Sequence, residues 1–68
     1  MSRLFSSQEI INVLQQHGFQ FISQKGTHKK FKKGNRTVII PDPKKEFPKG
    51  TFNSILRQSG LQKEDFYK

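Results

Sequence analysis

Phe19-Gln20-Phe21-Ile22-Ser23-Gln24-Lys25-Gly26-Thr27-His28-Lys29-Lys30-Phe31-Lys32-Lys33-Gly34-Asn35-Arg36-Thr37-Val38-Ile39-Ile40 decides the fold. Glycines split the stretch into three short runs. From Phe19 to Lys25, Phe19 and Phe21 alternate with polar neighbours, the pattern of a half-buried strand. Lys25-Gly26-Thr27 reads as a turn. Thr27 to Lys33 reads as a second strand. Side chains alternate along a strand, so Phe31 turns its face to the core while His28, Lys30 and Lys32 share the other. Gly34-Asn35 is a two-residue hairpin signal. Arg36 to Ile40, β-branched and apolar at Val38, Ile39 and Ile40, reads as the third strand. Short connections join the three as an antiparallel meander.

Upstream, Ser6 and Glu9 have the spacing of a capping box, and Phe5 and Ile10 that of a hydrophobic staple. Ile10, Val13, Leu14 and His17 then recur at helical spacing. A helix is predicted from about Ser7 to His17, closed by Gly18 in the left-handed conformation. His17 there meets the negative end of the helix dipole, which accounts for it without chemistry. Downstream, Pro41 to Gly50 holds all three prolines and has no period. It reads as a loop crossing the sheet edge, pinned to the core by Phe47. Thr51 to Ser59 is a second helix with Phe52, Ile55 and Leu56 on one face, ended by Gly60. Leu61 to Phe66 adds a short final turn of helix, and Tyr67 and Lys68 are expected to fray. The order α-β-β-β-α implies a two-layer α+β domain, a three-stranded antiparallel sheet with two helices on one face. Double-stranded-RNA-binding domains share this arrangement, an analogy of topology that assigns no function.

Sixty-eight residues are read as one domain, 1–68. A chain this short buries only ~60% of the surface its unfolded form exposes. Its stability is then about 5 kcal/mol or less, and any active site is shallow. Without cysteine there is no disulfide framework and no thiolate metal site. The longest apolar run, Val38-Ile39-Ile40, is far short of a membrane span. Met1-Ser2-Arg3-Leu4-Phe5 lacks the apolar region of a signal peptide. A cytoplasmic protein with no membrane partner is expected. Thirteen cationic residues against five carboxylates give a net charge of +8. A field of that sign calls for a polyanion, either nucleic acid or an acidic protein.

The residue inventory narrows the chemistry. Zinc needs about four N, S or O ligands at defined spacing, and two distant histidines cannot supply them. Two-metal nuclease chemistry needs grouped carboxylates, whereas Glu9, Asp42, Glu46, Glu64 and Asp65 are scattered. No Gly-x-x-x-x-Gly-Lys-Ser/Thr loop occurs. No metal and no small-molecule cofactor are therefore expected. Metal-free RNA cleavage stays open, because the 2′-OH is an internal nucleophile and the enzyme need only move protons and steady a charged phosphorane. Histidine suits the first task near neutral pH, and lysines suit the second. His28 sits among Lys25, Lys29, Lys30, Lys32 and Lys33. The candidate RNA-contacting set is Lys25, Gly26, Thr27, Lys29, Lys30, Lys32, Lys33, Arg36, Lys44, Lys45 and Lys49. Such contacts fix position rather than read sequence, and they make binding salt-dependent. On residue types alone, His28 is equally readable as a surface histidine of a non-catalytic RNA-binding module of the same fold. A third reading is an interaction protein whose basic face meets one acidic partner.

Several pieces together resemble the HicA family of toxins from type II toxin–antitoxin systems. They are a first helix ending in His17-Gly18-Phe19, the turn Gln24-Lys25-Gly26-Thr27-His28 followed by Phe31, and Val38-Ile39-Ile40-Pro41 with Pro43. The Lys49-Gly50-Thr51 helix start follows, then Ile55-Leu56-Arg57-Gln58-Ser59-Gly60-Leu61 and Phe66. The resemblance implies an mRNA interferase of double-stranded-RNA-binding-domain-like fold, and a HicB-type antitoxin that covers its active surface. It also implies that His28, the histidine of the family's Gly-Ser/Thr-His motif, is catalytic. Lys29 stands where many members carry a second histidine.

Overall fold

The structure, a computed structural model, describes residues 4–67. Its elements are α1 (Ser7–Gln16), β1 (Gln20–Lys25), β2 (His28–Lys33), β3 (Arg36–Pro41), α2 (Lys49–Ser59) and a 3-10 turn over Lys63–Asp65. The strands form one antiparallel sheet in the order β1-β2-β3. The α+β class and the α-β-β-β-α order agree with the sequence reading.

Local signals start and stop α1. Ser6 Oγ accepts the Glu9 N–H at 3.2 Å, and Glu9 Oε1 accepts the Ser6 N–H at 2.9 Å, completing the capping box. At the other end the Gly18 N–H reaches the Gln15 carbonyl at 3.1 Å and the Phe19 N–H the Leu14 carbonyl at 3.0 Å. With Gly18 at φ 94°, these are the two bonds of a Schellman motif. The helix closes at Gln16, one residue before the expected end, because His17 has already left helical geometry at φ −96°, ψ 14°. Phe19 is spent on this terminus and is buried, so β1 begins one residue later than expected.

Both hairpin loops have two residues, as the pairs Lys25↔His28 and Lys33↔Arg36 show. Gly26 and Gly34 take φ 60° and 59°, and among the described residues no other residue type has positive φ. Glycine first and an ordinary residue second is the type II′ arrangement. Phe31, Val38 and Ile40 face the helices and meet Ile10, Ile11 and Leu14 of α1 and Phe52 and Ile55 of α2. Phe47 is fully buried among them, and its N–H donates to the Phe5 carbonyl at 2.9 Å. The loop is pinned as expected. The second helix starts at Lys49, not Thr51, because Pro48 already holds the extended capping geometry and accepts the Phe52 N–H at 2.9 Å. The final turn forms, with Phe66 packed on Phe5 and Phe52. Tyr67 is not frayed: its ring lies edge-on to Phe5 with centroids 5.2 Å apart. Lys68 and residues 1–3 lie outside the described residues.

One strand departs from its expected burial. Phe21 is 50% exposed and no residue of β1 is buried. The helices lie chiefly over β3, which leaves β1 an uncovered edge. A register irregularity between Phe21 and Ser23 adds Ile22 as an extra residue, itself 50% exposed. Such a bulge twists an edge strand away from regular pairing. Among the described residues no helix is long and apolar enough to cross a membrane.

Candidate functional site

His28 opens β2 directly after the Gly26-Thr27 turn and is exposed. Alternation from buried Phe31 puts His28, Lys30 and Lys32 on the sheet face away from the helices, all three exposed. Cross-strand partners share a face. His28 is opposite Lys25 and Pro41, Lys30 opposite Ser23 and Ile39, and Lys32 opposite Gln20 and Thr37. The open face thus carries one imidazole and three ammonium groups. None of the strands contains a carboxylate.

The backbone on both sides of His28 is held. Gln24 Nε2 donates to the Gly26 carbonyl at 2.9 Å, and the Asp42 N–H donates to the Thr27 carbonyl at 2.7 Å. The Asp42 carboxylate takes Lys29 Nζ at 2.7 Å and the Ser7 hydroxyl at 2.5 Å. Ser7, buried at the start of α1, also accepts the Lys44 N–H at 3.0 Å. Asp42 therefore ties residues 27 and 29, the neighbours of His28, to the first turn of α1. The His28 side chain itself makes no hydrogen bond among the described residues.

The structure sorts the candidate cations. Lys25, Lys30 and Lys32 join Gly26, Thr27 and His28 at one face and one turn. Lys29 lies on the helix side in its ion pair. Lys33, also on that side, donates from Nζ to the His17 carbonyl at 2.7 Å and so caps α1, where a cation adds about 0.3–1 kcal/mol. Arg36 lies over the end of α2, so close that a Cβ on Gly60 would fall 2.6 Å from its Cζ. Lys44 stands 5.9 Å from the Phe47 ring centroid. Lys45, in the loop, and Lys49, at the start of α2, are exposed. Four of the expected RNA contacts thus also serve the fold.

Sequence reasoning missed Asp42 and Ser7. In the sequence Asp42 reads only as one of five scattered acids; its signal is an Asp-Pro step directly after a strand, which turns the chain back across the sheet end. Among the described residues no three His, Asp or Glu groups converge as a metal cluster would. Lys29 first, then Ser7, holds the Asp42 carboxyl below the ordinary carboxylate range. A depressed folded-state value gives stability that is present above the unfolded-state range, near pH 4, and lost as pH falls through the folded value. Solvent screens the pair, so Asp42→Asn is expected to cost no more than about 1 kcal/mol at pH 7. That deficit against the parent shrinks below about pH 4. Urea unfolding of both proteins at several pH values checks this, and a deficit independent of pH contradicts it.

A family model described as the HicA toxin of bacterial toxin–antitoxin systems matches residues 7–61. Among curated proteins no match is found. The matched span begins with α1, takes in all three strands and the His28 turn, and ends just past α2. The chain belongs to the HicA toxin family, and its place is that of the toxin in a toxin–antitoxin pair.

Proposed function

We propose that this toxin, taken as one domain over residues 1–68, is a metal-independent endoribonuclease that cleaves mRNA in the cytoplasm. His28 is its single catalytic histidine, and a HicB-type antitoxin neutralises it. The supporting observation is the open sheet face, where an exposed imidazole on a braced turn stands among Lys25, Lys30 and Lys32 with no acid on the strands. The imidazole takes the proton of a substrate 2′-OH, and the 2′-oxygen attacks the adjacent phosphorus. The bond to the 5′-oxygen breaks, and that oxygen takes a proton from water, a lysine or the imidazolium just formed. The products are a 2′,3′-cyclic phosphate and a 5′-OH. The lysines steady the charge that builds on the phosphorane. An antitoxin with an acidic face fits the same surface and is steered to it by the field.

The test is cleavage of a mixed-sequence RNA in EDTA, with and without the antitoxin. Cleavage that persists in EDTA and stops at one equivalent of antitoxin is expected. Intact RNA at every protein concentration, with binding retained, would leave a binding module in its place. The cations should also separate by role. Lys30→Gln with Lys32→Gln should weaken binding of single-stranded RNA and reduce its salt slope by about 0.7 per lysine. Lys33→Gln should instead lower the unfolding midpoint, since that ammonium caps α1. Equal salt slopes for the double variant and the parent would remove those lysines from the RNA path.

A further inference from the structure

An open groove of about 300 Å³ lies between α1 and the β1–β2 hairpin, on the helix side of the sheet. Phe31 and Ile11 form its apolar floor, and Phe21 forms one wall. The Phe21 ring contacts Phe31 edge-on at 5.8 Å, yet Phe21 remains 50% exposed. Three amides reach the groove, Gln8 and Gln15 from α1 and Gln24 from β1. Gln8 and Gln24 each use one N–H of the side-chain amide, to Asn12 Oδ1 and the Gly26 carbonyl, both at 2.9 Å. Their carbonyl oxygens stay available as acceptors. The Gln15 side chain has no partner among the described residues.

We infer that this groove is a subsite for one unpaired nucleobase of the RNA substrate. The inference rests on the RNA-cleaving reading above and adds to it a place where sequence is read. The volume is at the lower end for ligand sites, which suits one planar ring system rather than a peptide helix. An exposed aromatic face beside amides is the equipment for an unstacked base: the ring stacks, and the amides pair with the base edge. Its one charged lining residue is Lys29, whose charge the Asp42 ion pair offsets, so the groove suits a neutral base edge, and a basic ligand finds no carboxylate in the lining. An ammonium has three donors, and the Asp42 bond uses one of them. The groove and His28 lie on opposite faces of the sheet and approach each other at the turn end of the β1–β2 hairpin. The cross-strand pair Gln24↔Lys29 is next to Lys25↔His28 along the hairpin, with the first pair turned to the helix side and the second to the open face. A strand crossing the end of the sheet can put a phosphate at His28 and a neighbouring base in the groove.

The experiment is binding of four 2′-O-methyl homo-oligonucleotides, of A, C, G and U, which offer no free 2′-OH for cleavage. The parent should discriminate among the four bases. Phe21→Leu should weaken binding by about tenfold, through loss of the stacking face. Gln15→Ala should reduce the preference among bases by a similar factor while leaving the weakest-binding oligomer unchanged. Both substitutions are at surface positions, and unchanged thermal melting would show that both variants fold. If the parent binds and both variants reproduce its affinities and base order, the subsite is overturned while the RNA reading stands. Retained oligonucleotide binding with lost antitoxin binding would give the groove to the antitoxin and likewise overturn the subsite. If the parent binds none of the four, the RNA reading fails and the subsite with it.

Discussion

His28→Ala should lose RNA cleavage by a factor of about 10²–10⁴, the range a positioned acid–base group contributes, while binding RNA almost as the parent does. The two halves of this expectation have separate origins. Proton transfer needs the imidazole, and the other histidine is no substitute: His17 sits at the end of α1, where its carbonyl takes Lys33. Binding in the proposed mechanism uses the ammonium groups of Lys25, Lys30 and Lys32, which the substitution leaves in place. Stability should change by no more than about 0.5 kcal/mol, since the side chain is exposed and unpaired among the described residues. Rate constants at saturating RNA, with a binding titration and a melting curve, separate the three quantities. A variant that cuts at the parent's rate would return His28 to a surface role.

Phe47→Ala should unfold much of the population. Phe47 is fully buried although it belongs to the proline-rich loop, and that loop delivers Asp42 and Lys44 to Ser7. Removing a buried phenyl ring costs about 3–5 kcal/mol, against a total of about 5 kcal/mol for a domain of this size. Activity would then fall through loss of folded protein, not through chemistry. Phe21→Ala, at a half-exposed edge position, is the control and should cost far less. Chemical denaturation of both variants provides the measurement. Equal losses at the two positions would contradict the core assignment.

Where the chain carries its own stop and start signals, the sequence was legible. The Ser6–Glu9 box, Gly18, the two glycine-led turns and Gly60 are local devices, and each ends or begins an element within two residues of the reading. The face of β2 was legible too, because one phenylalanine among cations sets the alternation. Burial of β1 was not. Phe19 and Phe21 look alike in the sequence, but one closes α1 and the other lies on an edge that the helices leave uncovered. That difference depends on where two helices settle over three strands, a tertiary fact without a local code. The cations show the same limit. Composition shows thirteen positive residues, and only the register reveals that Lys29, Lys33 and Arg36 are turned toward Asp42 and the helix ends. Asp42 was hidden for the same reason, since its partners Ser7 and Lys29 are distant in sequence.

In the proposed mechanism His28 drives attack by the substrate's own 2′-oxygen without a metal ion. The most direct measurement compares two matched oligonucleotides in EDTA, one all-ribose and one carrying a single 2′-deoxy residue at the preferred cleavage position. Cleavage of the first with a 2′,3′-cyclic phosphate end, and an intact bond at the deoxy position in the second, is the predicted result. Cleavage at the deoxy position, or activity that vanishes in EDTA and returns with a divalent cation, would contradict it.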